Sequence, residues 1–321
     1  MTASGKRLAA AATALAISVW IGTVADAGAA PYEVPWTVDG SIAAQERDPN
    51  GSPAGANDFS CEPPRRHPRP VILVHGLAAN RTVNFPTISP FLANHGFCVF
   101  ALTYGTRDSV RLPGYQPGGL APMQAGARKL KRFAARVMSR TGARRIDIVG
   151  HSEGSLMPNW WVKYLGGRRV VDHYVGMTPL WDGTDLAGLG TIDAIGQALG
   201  VSDGIHAAIE PYCASCPQFL SHSRFIARMN AGGGPRVGGI DYTMLLTRND
   251  ELVSPYSSGL MDGAENITVQ DVCPLDQSEH LSIAFDPVAA HEVLNALDPR
   301  HPGPVPCAPV LPFVGAVGYS E

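Results

Sequence analysis

Residues 146–155 read IDIVGHSEGS, and Gly150 to Gly154 within them fit the pattern G-x-S-x-G. The residues before the pattern are typical of a buried strand, and those from 153 to 165, EGSLMPNWWVKYL, predict a helix. Ser152 would then lie where a strand turns sharply into a helix, and the two glycines would let both elements pass closely. Because the chain contains 35 glycines, the pattern identifies a nucleophile only if an acid and a histidine follow in suitable positions.

Short apolar runs alternate with helical patterns along the rest of the chain. Several of the runs are apolar throughout, which is typical of parallel strands covered on both faces. We therefore predict an α/β fold, with a mostly parallel central sheet and helices on both faces. The segment 31–69, rich in Pro, Gly and Asn, is expected to be irregular. Strands are predicted over 71–76, 97–104, 146–152, 170–179, 241–247 and 267–273, and further helices over 123–140, closed by Gly142, and 287–297, capped by Asp286.

Composition excludes some classes of partner. Hydrophobic residues make up 45% of the chain and charged residues 17%, as expected of a globular protein. The net charge of −3 gives no electrostatic reason to expect a nucleic-acid partner. The most basic stretch, 128–132, has apolar residues interleaved at helical spacing, so we interpret it as the exposed face of a surface helix.

The first 29 residues have the features of a secretory signal peptide. Lys6 and Arg7 precede an apolar run, and small residues follow it up to a cleavage site after Ala29. The alternative, a membrane anchor, is disfavoured because the run is short, rich in alanine and followed by a cleavage-like sequence. We expect a secreted, extracellular protein whose single catalytic domain spans 30–321, without a transmembrane anchor in the mature form.

An even number of cysteines in an exported chain suggests disulfides. The spacing C-x-x-C at 213–216 is also compatible with half a zinc site or a redox pair. However, the chain has no second C-x-x-C, and the surroundings do not resemble a thioredoxin-like unit, so a local structural bridge is favoured. We expect three disulfides from Cys61, Cys98, Cys213, Cys216, Cys273 and Cys307.

Serine is a weak nucleophile and needs a base that is oriented by an acid. Asp250 comes just after the predicted strand 241–247, where sites in parallel sheets form. Glu251 is the alternative acid, and Asp250 could instead only shape a turn. His280 lies on the loop between the last predicted strand and the last helix. His291, inside that helix, and His301, in a proline-rich tail, are less well placed than His280.

Two backbone N–H groups are the candidate oxyanion hole. The N–H of Glu153 follows the nucleophile, and the N–H of Leu77 lies on the loop after the first predicted strand. Such a site needs no metal ion and no organic cofactor.

Residues 180–240 form a long insertion before the strand 241–247. Helical patterns over 191–200 and 218–230 suggest a small cap over the site, which could act as a lid or as a static cover. We expect a mainly apolar substrate pocket formed by this insertion together with Leu77, Met157, Trp160 and Trp161. The two tryptophans have the helix–sheet core as an alternative location.

Five stretches of the chain carry a family resemblance: VILVHGLAAN (71–80), IVGHSEGSLMPNWWVKYLGG (148–167), VDHYVGMTPLWDGTD (171–185), DYTMLLTRNDELVSPYSSG (241–259) and DVCPLDQSEHLSIAFDPVAAHEVLNALD (271–298). On these stretches the chain resembles secreted α/β-hydrolase lipases of the actinobacterial class 2 lipase family and, more distantly, fungal lipase B. The resemblance implies hydrolysis of triacylglycerols or other carboxylic esters through an acyl-enzyme, with Ser152 as nucleophile, Asp250 as acid and His280 as base. Family members usually carry Gln and Gly where this chain has Glu153 and Ser155.

The resemblance to fungal lipase B also suggests two of the disulfide pairs, Cys61–Cys98 and Cys273–Cys307, which leaves Cys213–Cys216 as the third. The expected function is that of a secreted triacylglycerol lipase, with a lipid or ester substrate and transient contact with a lipid interface. Alternatives are a short-chain carboxylesterase, a cutinase-like polyester hydrolase or an acyltransferase. A rival from another class is a catalytically silent hydrolase fold that binds lipid.

Overall fold

Six parallel strands form the centre of the molecule in the computed structural model, which describes Met1 and residues 31–185 and 202–321. The strands are β1 (Val71–Val74), β2 (Val99–Leu102), β3 (Ile146–His151), β4 (Val171–Met177), β5 (Asp241–Leu246) and β6 (Glu265–Thr268). Their order in the sheet is β2-β1-β3-β4-β5-β6. Every residue of β1, β2 and β3 is buried, as expected of strands covered on both faces.

Helices cover both faces of the sheet. The helices are α1 (Val38–Arg47), α2 (Arg81–Asn84), α3 (Ile88–Asn94), α4 (Met123–Thr141), α5 (Glu153–Tyr164), α6 (Ser202–Ile209), α7 (Arg224–Asn230), α8 (Val269–Val272) and α9 (Pro287–Leu297). On one face, α4 and α5 pack against Ile72, Phe100 and Ile148; on the other, α3 and α9 pack against Leu73 and Val149. The predicted α/β fold with a parallel sheet is therefore confirmed.

The register brings the carboxyl ends of the central strands to one edge. Val74 of β1 is level with Gly150 of β3, and His151 is level with Met177 of β4. Met177 is in turn level with Leu245 near the end of β5. Loops that leave these strands therefore begin side by side, although they are far apart in sequence.

The structure corrects several sequence predictions. The last strand is present, but its predicted extent over 267–273 is wrong: β6 spans Glu265–Thr268, and α8 follows it, with Val269 buried in the core. The segment 31–69 is not wholly irregular, because it contains α1. The helix predicted over 218–230 is shorter than expected, because α7 begins only after Ser223. The hydroxyl of Ser223 accepts the N–H of Ile226 and so caps the start of the helix. The pattern over 191–200 lies outside the described residues.

The helix that carries the basic stretch 128–132 has the predicted orientation. The four basic side chains of this stretch are exposed on α4, while Leu130 and Phe133 are buried against the sheet. The helix ends at Gly142, whose φ of 70° is the left-handed conformation that glycine adopts at low cost. Within residues 31–185 and 202–321, no helix combines the length and apolar character needed to cross a membrane.

All six cysteines are in disulfides. The pairs are Cys61–Cys98, Cys213–Cys216 and Cys273–Cys307. The first joins the segment before β1 to the start of β2. The third joins the end of α8 to the C-terminal tail.

Candidate active site

Ser152 lies at the turn between β3 and α5. Its φ of 57° and ψ of −125° are unusual for a residue with a side chain. A Cβ on Gly150 would lie 2.1 Å from the carbonyl oxygen of Gly154, and one on Gly154 would lie 2.0 Å from that of Val74. Only glycine therefore fits at both flanking positions, which allows α5 to begin directly against β1 and β3.

Three side chains form a continuous hydrogen-bonded chain at this turn. The Nε2 atom of His280 is 2.8 Å from Oγ of Ser152, and its Nδ1 is 2.9 Å from both carboxylate oxygens of Asp250. The His280 and Asp250 side chains are only 3% and 2% exposed. Because the carboxylate can only accept, it fixes the Nδ1–H tautomer and leaves Nε2 free to take the serine proton.

The backbone holds Asp250 in place. Its Oδ1 accepts the N–H groups of Leu252, at 3.0 Å, and Val253, at 2.7 Å. Glu251, the alternative acid, is exposed, and its Oε2 accepts the backbone N–H of His280 at 3.4 Å. Partial burial raises the pKa of Glu251. Of the two neighbouring carboxylates, the structure therefore brings Asp250 to the imidazole ring.

The other two histidines that follow Asp250 have different partners. His291 lies within α9, where its Nδ1 donates to the carbonyl oxygen of Pro287. His301 bonds to Asp298 at 2.9 Å. Neither contact involves Ser152.

His151 and Asn84 form a supporting network that the sequence analysis missed. The Nε2–H of His151 donates to the carbonyl oxygen of His280 at 2.8 Å, so its Nδ1 accepts from Asn84 Nδ2 at 3.0 Å. Oδ1 of Asn84 in turn accepts the N–H of Gly76 at 2.8 Å. Burial lowers the pKa of His151 to about 3, which keeps the ring neutral. The network thereby ties the His280 loop to the turn that carries Leu77.

The two candidate oxyanion donors lie beside the serine. Leu77, Ser152 and Glu153 line one cavity. Glu153 is the first residue of α5, so its N–H has no acceptor within the helix, and the positive end of the helix dipole points into the site. The positions of Leu77 and Glu153 are therefore compatible with stabilising an oxyanion formed at Ser152.

The cavity beside Ser152 measures about 470 Å³ and is mainly apolar. Leu77 lines it, as predicted, but Met157, Trp160 and Trp161 do not. Met157 and Trp161 are buried in the helix–sheet core, and Trp160 stacks on Phe225 of α7. The predicted insertion contributes Leu180 and Phe219 to the cavity wall. The other apolar walls come from Val83, Val253, Leu281 and Phe285.

One side-chain cluster, Asp147, Asp172 and His173, has the donor types and spacing of a metal site. The guanidinium of Arg69 already occupies its centre. Its nitrogens lie 2.9 Å from Asp147, 3.1 Å from Asp172 and 3.0 Å from Nδ1 of His173. The cluster is therefore an ion-pair network, in which the atoms that could bind a metal already accept hydrogen bonds from the arginine.

Comparison with known proteins agrees with this geometry. The family model of class 2 lipases matches residues 68–291, which include Ser152, Asp250 and His280. The chain belongs to the class 2 lipase family. The match covers all six strands, so this family membership applies to the whole sheet and to the loops that form the site.

Two solved lipase structures have the same fold as this chain, although their sequence identity to it is low. Aspergillus fumigatus lipase B superposes with a TM-score of 0.59 at 20% identity, covering 79% of this chain and 56% of that protein. A Bacillus licheniformis lipase in its propeptide form gives a TM-score of 0.51 at 12% identity, with 81% and 55% coverage. This chain thus spans just over half the length of both. These likenesses establish the α/β-hydrolase fold.

Proposed function

We propose that the protein is a serine ester hydrolase that acts through an acyl-enzyme, and that its substrates are lipid esters. The observation that carries the proposal is the unbroken chain of contacts from Asp250 through His280 to Ser152, at 2.9 and 2.8 Å. Membership of the class 2 lipase family supports it. No step of this chemistry calls for a metal ion or an organic cofactor.

The proposed reaction has two halves. Oγ of Ser152 attacks the ester carbonyl while Nε2 of His280 takes the serine proton, and Asp250 stabilises the imidazolium that results. The N–H groups of Leu77 and Glu153 donate to the oxyanion of the tetrahedral intermediate. His280 then gives its proton to the leaving alcohol. In the second half, water attacks the acyl group with His280 again as the base.

The apolar character of the cavity favours a lipid ester as the substrate over a small polar ester. Its apolar walls can bury the methylene groups of an acyl chain, each of which contributes up to ~0.8 kcal/mol. We therefore favour a lipase over a short-chain carboxylesterase. We also propose that residues 1–29 are removed on export and that the mature domain spans 30–321, because the three disulfides suit an oxidising compartment outside the cell.

Substitution of the triad tests the proposal directly. Ser152→Ala should lower turnover of p-nitrophenyl esters by on the order of 10⁴ or more, because it removes the acyl-enzyme route. A fluorophosphonate probe should label the wild type and leave Ser152→Ala unlabelled. An unlabelled wild type without turnover would instead indicate a silent lipid-binding fold.

A matched pair of acid variants tests the orienting residue. Asp250→Asn should lower kcat by about 10⁴, since the amide favours the wrong imidazole tautomer. Glu251→Gln should keep most of the activity, because this carboxylate contacts the backbone N–H of His280, whereas Asp250 contacts the imidazole ring. The reverse result would show that Glu251 is the acid.

A further inference from the structure

The carboxyl group of Glu153 is buried beside the nucleophile and has no role in the steps above. Glu153 is only 1% exposed. Its Oε1 lies 3.0 Å from the hydroxyl of Tyr104, and within the described residues its Oε2 has no hydrogen-bond partner. Among the described residues, no basic side chain forms an ion pair with it. A charge at this position would be costly because burial removes its hydration.

The hydrogen bonds of the Tyr104 hydroxyl indicate which protonation state of the Glu153 carboxyl group the fold favours. The Tyr104 hydroxyl has one hydrogen but lies 3.0 Å from both Glu153 Oε1 and the carbonyl oxygen of His75. The carbonyl can only accept, so it takes that hydrogen. The remaining contact is satisfied only if Glu153 carries a proton and donates it to the tyrosine oxygen. A carboxylate would leave one acceptor unsatisfied.

The neighbouring titratable groups are neutral. The His75 ring stacks on Tyr104; its Nδ1–H donates to Gly76 O and its Nε2 accepts the N–H of Tyr104. Burial lowers the pKa of His75 to about 4 and raises the pKa of Tyr104. The hydroxyl of Ser215 also lies near the carboxyl, but it donates its hydrogen to the carbonyl oxygen of Gly119 at 2.5 Å.

His151 and His280 are two further titratable groups near the start of α5, and Tyr174, whose pKa burial raises, lies near Tyr104. His151 is neutral, as described above, and His280 is directed at Ser152 and Asp250. Lys129 and Arg81 act on the pKa of His75, but among the described residues neither forms an ion pair with Glu153. Burial raises the pKa of Glu153 to about 8.

We propose that Glu153 is a positioning residue that must be a neutral acid for ester hydrolysis, and that it acts through Tyr104 on the His75-Gly76-Leu77 turn. This inference rests on the proposed function, in which the N–H of Leu77 is an oxyanion donor. When Glu153 ionises, the Tyr104 hydrogen turns to the carboxylate and leaves the carbonyl of His75. The turn then loses the hydrogen bond from the Tyr104 hydroxyl to the carbonyl oxygen of His75. A negative charge also lies near the oxyanion that forms at the adjacent Ser152.

The pH dependence of kcat tests the proposal, because a merely structural residue would not set it. If the ionised form is inactive, a pKa of about 8 implies that wild-type kcat falls about tenfold from pH 7 to pH 9. Glu153→Gln keeps the shape and can still donate to Tyr104, so its kcat should stay level over the same range. Glu292→Gln is the matched control, since Glu292 also has a raised pKa but lies on α9. It should reproduce the wild-type fall.

Tyr104→Phe tests the route through the turn. It should lower kcat at pH 7 about tenfold or more with little change in KM, because oxyanion contacts act in the transition state. Rates are normalised to the sites labelled by fluorophosphonate, so that misfolded protein is not counted. Superimposable pH profiles of wild type and Glu153→Gln, or an unchanged kcat in Tyr104→Phe, would overturn the inference. Turnover that survives Ser152→Ala would instead overturn the proposed function.

Discussion

Gly154→Ala would test whether the close approach of α5 to β1 positions the nucleophile. The new Cβ would lie 2.0 Å from the carbonyl oxygen of Val74 and 2.5 Å from that of His75. Both obstacles are backbone atoms at the end of a central, fully buried strand, so no side chain can rotate away. An ordinary contact of 3.4 Å requires a shift of about 1.4 Å between the helix and the strand.

Such a shift should affect both stability and rate. Overpacking of this kind costs typically ~1–3 kcal/mol of unfolding free energy. Displacement by about 1 Å of the groups that align a reaction costs on the order of 10² in rate. We therefore expect kcat/KM to fall at least 10²-fold in the fraction of Gly154→Ala that remains folded, since the serine and the Glu153 N–H both move with the start of α5.

The assay is p-nitrophenyl ester hydrolysis, with urea unfolding of the same preparations. Gly204→Ala is the control: it adds the same methyl group to a helix, α6, with no atom within 4 Å of the new Cβ. It should leave the rate unchanged and raise stability by up to about 1 kcal/mol. A Gly154→Ala variant with wild-type stability and a rate within threefold of wild type would refute the reasoning.

Three further predictions concern substrate and stability. The kcat/KM for p-nitrophenyl esters should rise from acetate towards acyl chains of eight or more carbons, and triolein should release fatty acid; a fall at every step beyond butyrate would point to a carboxylesterase. Replacing Cys273 and Cys307 by serine should lower the unfolding free energy by roughly 2–4 kcal/mol in urea titrations, and a loss below about 1 kcal/mol would contradict this. Burial and the neighbouring Asp276 raise the pKa of Asp286, so the folded state favours the protonated acid. The contribution of Asp286 to stability should therefore fall as pH rises above ~4, the pKa of an aspartate in the unfolded chain. The unfolding free energy of Asp286→Asn minus that of the wild type should therefore be larger at pH 8 than at pH 5. Equal differences at the two pH values would show that Asp286 does not titrate in this way.

The local sequence pattern was sufficient to predict the secondary-structure elements that surround Ser152. The strand, the turn and the helix over 146–165 follow from apolar runs and two glycines, all within twenty residues. The local pattern gave wrong predictions where the residues were compatible with more than one kind of secondary structure. Residues 267–273 alternate like a strand, yet the structure turns them into a helix after Thr268, and α1 lies in a segment whose composition suggested a loop.

The sequence by itself determined the parallel sheet and the positions of Ser152, Asp250 and His280 just beyond strands or on the loops that follow them. Parallel strands bring such positions to one edge, so their meeting could be expected. Only the tertiary structure decided which of two adjacent carboxylates reaches the imidazole, because that depends on the backbone N–H groups that hold Asp250. It likewise placed Trp161 in the core and Glu153 against Tyr104, since these contacts join residues that are remote in sequence and leave no local pattern.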